Sequence, residues 1–421
     1  MAKTDRIHPT DLVGFSRLAV AATLGLTRVV EAMHVNIAGR PADDTAAPRR
    51  ASDITATVYK SVRGATMLVG GGIDAALARV IPMLGPSSSS PDREAVVAVM
   101  NGVIGDYLVA TNNPLAISMC LRRNGEPLKL ERQALANAIH GASSKLLVLV
   151  HGLGMNDLKW KRERHDHGEA LGRDLGYTPV YLHYNSGLHI STNGRALAEL
   201  LDVLLQQWPV PLEEFVIIGH SMGGLVSRAA YYYGTEAHHD WTRKLRKLIF
   251  LGTPHHGSPL ERGGNWVNFV FELNKYTNPL GRLGKMRSAG ITDLRYGNLL
   301  DEDWQSRDRF KISGDLRQPV PLPKGVQCFT MAASASERSG NFSSDVLGDG
   351  LVPVSSALGR HNDPNLMLTF AKSRQWVGYG MRHWDLLSHP RVYKRIRKWV
   401  ASPAWKASQR QVSVAAPMQK R

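Results

Sequence analysis

The stretch Phe215-Val216-Ile217-Ile218-Gly219-His220-Ser221-Met222-Gly223-Gly224 runs four apolar residues straight into a serine flanked by glycines, and Leu225 to Tyr233 continues it as a helix-forming segment. This is Gly-x-Ser-x-Gly in the order that gives it meaning, a buried strand, a tight turn and a helix. Such a turn forces Ser221 into a strained backbone conformation, and only small residues at 219 and 223 let strand and helix come so close. The hydroxyl is lifted above the sheet edge at a helix start, where the dipole favours a developing oxyanion.

Outward from this stretch, short apolar runs alternate with helical ones. Leu146 to Val150, Pro179 to His183, Leu248 to Leu251 and Val326 to Ala332 read as strands; Leu171 to Leu175 ends a helix, and Ala196 to Trp208 is another. Continuous apolar strands separated by helices predict a parallel sheet covered on both faces. Before them, Leu115, Ile117, Met119 and Leu121 alternate, Asn124-Gly125 supplies a turn, and Leu128 and Leu130 resume the alternation, so a hairpin is expected. Glu94 to Val109 reads as a helix, and Pro86 to Pro91 as a Ser-rich linker. Upstream, amphipathic helical spacing runs over Asp11 to His34, with Asp11 as a candidate N-cap, and over Ser52 to about Leu84.

A serine hydroxyl is a weak nucleophile and needs a base that a carboxylate orients. Strand-like Val326 to Ala332 is followed by Gly348-Asp349-Gly350-Leu351-Val352-Pro353, which makes Asp349 the favoured acid and Asp345 its competitor. Beyond it the candidate bases are His361 in a polar turn, His383 before a final amphipathic helix, and His389, whose position before Pro390 suits a helix cap.

Four motifs together carry a resemblance: the Ser221 turn, His151-Gly152-Leu153-Gly154 after a strand, Gly252-Thr253-Pro254-His255-His256-Gly257-Ser258, and Gly348-Asp349-Gly350-Leu351-Val352-Pro353. From about Leu115 to Val400 the sequence resembles the α/β-hydrolase superfamily, and more narrowly bacterial lipases and esterases of the PGAP1-like (lipase/inositol-deacylase) type. The resemblance implies an α/β-hydrolase fold, a mostly parallel central sheet flanked by helices, with a cap or lid insertion; the helical spacing upstream adds an N-terminal extension that lies outside the resemblance. The expected organisation is a helical N-terminal region 1–86, linker and helix 87–112, a catalytic domain 113–401 with a lid at about 258–310, and a basic tail 402–421. It implies a triad of Ser221, His383 and Asp349, with oxyanion donors at the backbone N–H of Leu153 and Met222. His151, His256, Trp266 and Phe269 are the expected substrate-binding residues, although His151 suits a structural role better than an acid or base. The implied activity is cleavage of carboxylic esters with lipid-like or apolar acyl groups. A thioesterase, polyester depolymerase or acyltransferase would use the same triad, and a non-catalytic lipid-surface binding protein on this scaffold is the reading of another class.

The rest bounds the answer. The 421 residues include 52 Lys and Arg against 36 Asp and Glu, a net charge of +16. Nine of the basic residues lie between Arg391 and the end, where there is no acid, so the body is only mildly basic. An anionic lipid surface suits that placement better than nucleic acid, for which no recognition motif is present. Two cysteines exclude a disulfide framework and a Cys-rich zinc module. His165-Asp166-His167 lacks metal-ligand spacing and reads as a solvated loop; neither a metal nor a cofactor is expected. No stretch is long and apolar enough to span a bilayer, so the expectation is a cytoplasmic protein, with peripheral membrane contact left open.

Overall fold

In the computed structural model, the described residues are 11, 13–24, 60–69, 71, 90–258, 287–311, 314–337 and 348–402. The chain order is helix α1 (Pro91–Ala110), strands β1 (Cys120–Arg123), β2 (Glu126–Pro127) and β3 (Lys145–Val150), α2 (His167–Leu175), β4 (Thr178–His183), α3 (Ile190–Gln207), β5 (Glu214–His220), α4 (Met222–Glu236), β6 (Leu245–Leu251), β7 (Gln327–Ser334), β8 (Gln375–Tyr379) and α5 (Pro390–Ala401). The eight strands form one sheet in the order β2-β1-β4-β3-β5-β6-β7-β8. β1 runs antiparallel to β2 and β4, as the hairpin reading requires; β3 to β8 are parallel.

The strand side chains divide by parity. Leu146, Val148 and Val150 join Phe215, Ile217, Leu248 and Phe250 on one face, which α1, α3 and α4 cover. Leu147, Leu149, Val216, Ile218, Ile249 and Leu251 face the other way, towards Leu171 of α2 and Val392, Ile396 and Trp399 of α5. Both faces are buried, which is why these strands read as unbroken apolar runs rather than as alternating ones. α5 buries Val392, Ile396, Trp399 and Val400 at helical spacing and leaves Arg391, Lys394, Arg397 and Lys398 exposed.

α1 belongs to this body. Ser90 caps it by accepting from Arg93 N, and its buried face includes Ala95, Val97, Val99, Met100, Val103 and Leu108. Further upstream, residues 13–24 are helical, and Asp11 accepts from Arg93 Nε at 2.8 Å and from Arg93 Nη2 at 2.6 Å. Asn113 Nδ2 donates to Gly14 O at 3.1 Å, so this helix docks beside the segment that leads from α1 into β1. Of the segment expected as a lid, residues 259–286 lie outside the described residues, Trp266 and Phe269 among them. Its second half is packed down: Ser288 Oγ donates to Gly102 O at 2.6 Å, and buried Asp293 accepts from Ile190 N at 2.8 Å. Asp345 and tail residues 403–421 are also outside the described residues. No helix among the described residues is long and apolar enough to cross a membrane.

Candidate active site

Ser221 sits where β5 ends and α4 begins, with φ 54° and ψ −126°. A serine pays a steric penalty for positive φ, so the surroundings must impose it. Ser221 N donates to Leu251 O at 2.8 Å, tying the turn to β6. A Cβ at Gly223 would lie 2.2 Å from Val150 O and 2.4 Å from His151 O, so only glycine lets α4 start this close to β3.

The loop after β3 passes under the same turn. A Cβ at Gly152 would come within 3.0 Å of Ser221 Cβ, which places the backbone around Leu153 beside the serine. Gly154 N donates to Ser186 Oγ at 2.9 Å, fixing the far side of the loop. Gly102 of α1 presses on it, since a Cβ there would meet Gly154 Cα at 2.8 Å. Met222, the first residue of α4, has an N–H with no helical acceptor of its own.

Of the three candidate histidines, only His383 meets the candidate acid. Its Nδ1 donates to Asp349 Oδ2 at 2.6 Å, and both residues are buried. The other carboxylate oxygen, Oδ1, accepts from Leu351 N at 3.0 Å and Val352 N at 2.8 Å. The glycines at 348 and 350 turn the chain at φ 53° and 94°, so that those two N–H groups fold back onto the carboxylate. With the proton on Nδ1, the His383 Nε2 lone pair is left over, and that buried atom has no partner. Ser221 Oγ is not hydrogen-bonded to it, although a Cβ at Gly252, next to the Ser221–Leu251 contact, would lie 3.0 Å from His383 Cε1. His389 Nδ1 accepts from Arg391 N at 3.1 Å and caps α5, and His361 Nδ1 accepts from Asp363 N at 3.0 Å.

The remaining expected residues have other neighbours. His151 is fully buried, its Nδ1 donates to Gly152 O at 2.9 Å, and its ring stacks on Tyr184 at 4.4 Å. His256 receives a hydrogen bond from Arg317 Nη2 at 2.8 Å and lies against the His361 ring. Glu94, Asp157 and His183 are a described group whose ligand atoms converge within 4.8 Å. Arg122 Nη1 lies 2.9 Å from Glu94 and 3.3 Å from Asp157, so the chain itself supplies a cation there.

One residue near the site escaped the sequence reading, and one segment departs from it. His220 is fully buried 4.8 Å from the His383 ring, with no hydrogen bond at either nitrogen. The His165-Asp166-His167 segment is no solvated loop. Asp166 caps α2 by accepting from Glu169 N at 3.0 Å, and His167, the first residue of α2, is fully buried. The Asp-x-x-Glu spacing of 166 and 169 is an N-terminal helix signature that places His167 on a helix.

Burial pushes the pKa of His151 and of His167 down to about 3, and it holds His220 and His255 well below the ordinary histidine range. Unfolding releases each of them to about 6.5. Between these values the unfolded state binds more protons, so stability is full above about pH 6.5 and falls as the pH drops towards 3. Each group contributes a slope of up to about 1.4 kcal/mol per pH unit. Urea midpoints should therefore fall between pH 7 and pH 5, and unchanged midpoints would contradict the neutral burial of these rings.

An eight-stranded, mostly parallel sheet with a strained serine at the β5–α4 turn defines an α/β-hydrolase fold. Within it, residues 185–335 match the PGAP1-like alpha/beta domain family. Among solved structures, the mature lipase BlEst2 of Bacillus licheniformis is similar at 18% identity, with 67% of this chain and 98% of that one covered and a TM-score of 0.41. Lipase 1 of Pelosinus fermentans is similar at 14% identity over 62% of this chain and 99% of that one, TM-score 0.38. The esterase Pf2001 of Pyrococcus furiosus is similar at 13% identity over 62% and 81%, TM-score 0.36. Comparison with curated proteins gave no match.

Proposed function

We propose that this chain is a serine hydrolase that cleaves carboxylic esters with apolar, lipid-like acyl groups. The observation that carries the reading is the buried Asp349–His383 pair, 2.6 Å apart, with Nε2 left unpartnered, in a fold that also holds a serine in a strained strand-to-helix turn. Ser221 Oγ attacks the ester carbonyl while His383 Nε2 takes its proton. The Nδ1–H to Asp349 keeps the tautomer and stabilises the imidazolium that forms. The N–H groups of Leu153 and Met222 receive the oxyanion. His383 then protonates the leaving alcohol, and water activated by the same base hydrolyses the acyl-enzyme.

The test is turnover of nitrophenyl esters of graded chain length beside a thioester panel, with a fluorophosphonate probe on the same protein. The expected result is labelling of Ser221 and a preference for longer acyl chains. A thioester preference would move the reading to that branch, and failure to label Ser221 would favour a binding protein on a hydrolase scaffold.

The exposed basic face of α5 supports peripheral contact with an anionic lipid surface. Lys394→Glu with Lys398→Glu should weaken co-sedimentation with anionic vesicles by about thirtyfold or more, since two surface lysines at about 1 kcal/mol each amount to about 2 kcal/mol. Binding equal to wild type would remove that role.

A further inference from the structure

His165 and His167 are joined to each other and to the turn that carries His383. His167 Nε2 lies 2.9 Å from Leu386 O, and His167 Nδ1 lies 2.8 Å from His165 Nε2. Leu386 belongs to the short turn His383–Leu387 and is itself fully buried. The sequence separation between His167 and Leu386 is 219, so nothing local explains the contact.

The proton positions follow from the partners. A carbonyl oxygen only accepts, so His167 Nε2 carries the hydrogen. In the neutral ring Nδ1 is then a lone pair, and His165 Nε2 must donate to it. Burial keeps His167 neutral, with a pKa of about 3, so this arrangement persists across the working pH range. Tyr393 of α5 closes the other sides, stacked on His167 with centroids 6.0 Å apart and edge-on to His165 at 5.0 Å. Its hydroxyl donates to Asp174 Oδ2 at 2.6 Å, which fixes the ring. The chain of bonds thus starts at half-buried His165 and ends on the backbone three residues past His383.

We propose that His167, oriented by His165, is a positioning residue that clamps the His383 turn so that Nε2 is held towards Ser221. This rests on the reading of His383 as the base. Asp349 fixes His383 from the Nδ1 side. The clamp on Leu386 O fixes the backbone of the same turn, and the two together leave the ring little freedom to swing. Small displacements of a reacting group cost turnover rather than binding.

The experiment compares ester turnover of the full chain with that of His167→Phe, His167→Gln, His165→Ala and His383→Ala. His167→Phe fills the space and loses both hydrogen bonds; kcat is expected to fall about ten- to hundredfold with KM within about twofold. His167→Gln presents an N–H and a carbonyl oxygen and is expected to recover most of the loss. Wild-type kcat in His167→Phe, or a His167→Gln protein as slow as His167→Phe, overturns the proposal. If His167→Phe does not fold, His165→Ala decides: a several-fold fall in kcat at unchanged KM supports the clamp, and wild-type kcat overturns it. His383→Ala separates the two readings. Full turnover there ends the assignment of the base and the clamp together. An inactive His383→Ala beside a fully active His167→Phe ends the clamp alone.

Discussion

Ester hydrolysis by purified Ser221→Ala protein is expected to fall by a factor on the order of 10⁴ or more in kcat, with labelling by a fluorophosphonate abolished. Alanine removes only Oγ and keeps the backbone of a turn at φ 54° that the Leu251 contact and the close approach of Gly223 to Val150 impose. Folding should therefore be preserved, and the loss should read as chemistry. The turnover that remains comes from binding and from the N–H groups alone. An alanine variant that hydrolyses esters like the wild type, with the same thermal midpoint, would end the assignment of the nucleophile.

Asp349→Asn should be nearly as damaging, on the order of 10⁴ in kcat with little change in KM. The reason lies in the fixed partners of the two carboxylate oxygens. Leu351 N and Val352 N both donate to Oδ1, so the amide oxygen of asparagine has to stay on that side. Its NH₂ group then faces His383 Nδ1 at the place of the 2.6 Å contact, and two donors cannot meet there. The ring gives up its Nδ1 proton and carries the hydrogen on Nε2, which leaves no lone pair for Ser221. A pH profile of kcat for the variant checks this, and a profile and magnitude equal to wild type would refute the orienting role.

Much of the fold was legible because the informative segments are buried on both faces. The run Phe215 to Ile218, Leu146 to Val150 and Leu248 to Leu251 lie at the centre of the sheet, where an unbroken apolar strand can hardly be read otherwise. β8 was missed: Gln375–Tyr379 is an edge strand with one buried residue, and its pattern carries no clear period. The Asp349–His383 pairing could be anticipated from motif order, and their contact is the meeting of two loops 34 residues apart. The burial of His167 could not be read from its own neighbourhood, because Leu386 and Tyr393 supply it from the far end of the chain. The same applies to α1. Its helical pattern was visible, but the pressure of Gly102 on Gly154 depends on a fold already assembled.

Gly102 also accepts a hydrogen bond from a segment made much later, which bears on how the chain is made. α1 emerges from the ribosome early, whereas Ser288, whose hydroxyl binds Gly102 O, follows 186 residues later. At ordinary translation speeds of 5–20 residues per second the interval is about 10–40 s. Early in it, the apolar side of α1, with Val97, Val99, Met100 and Val103, waits for the strands β3 to β5 that it will cover. A nascent chain in that condition is a natural client for a holding chaperone, and slower translation prolongs the exposure rather than relieving it.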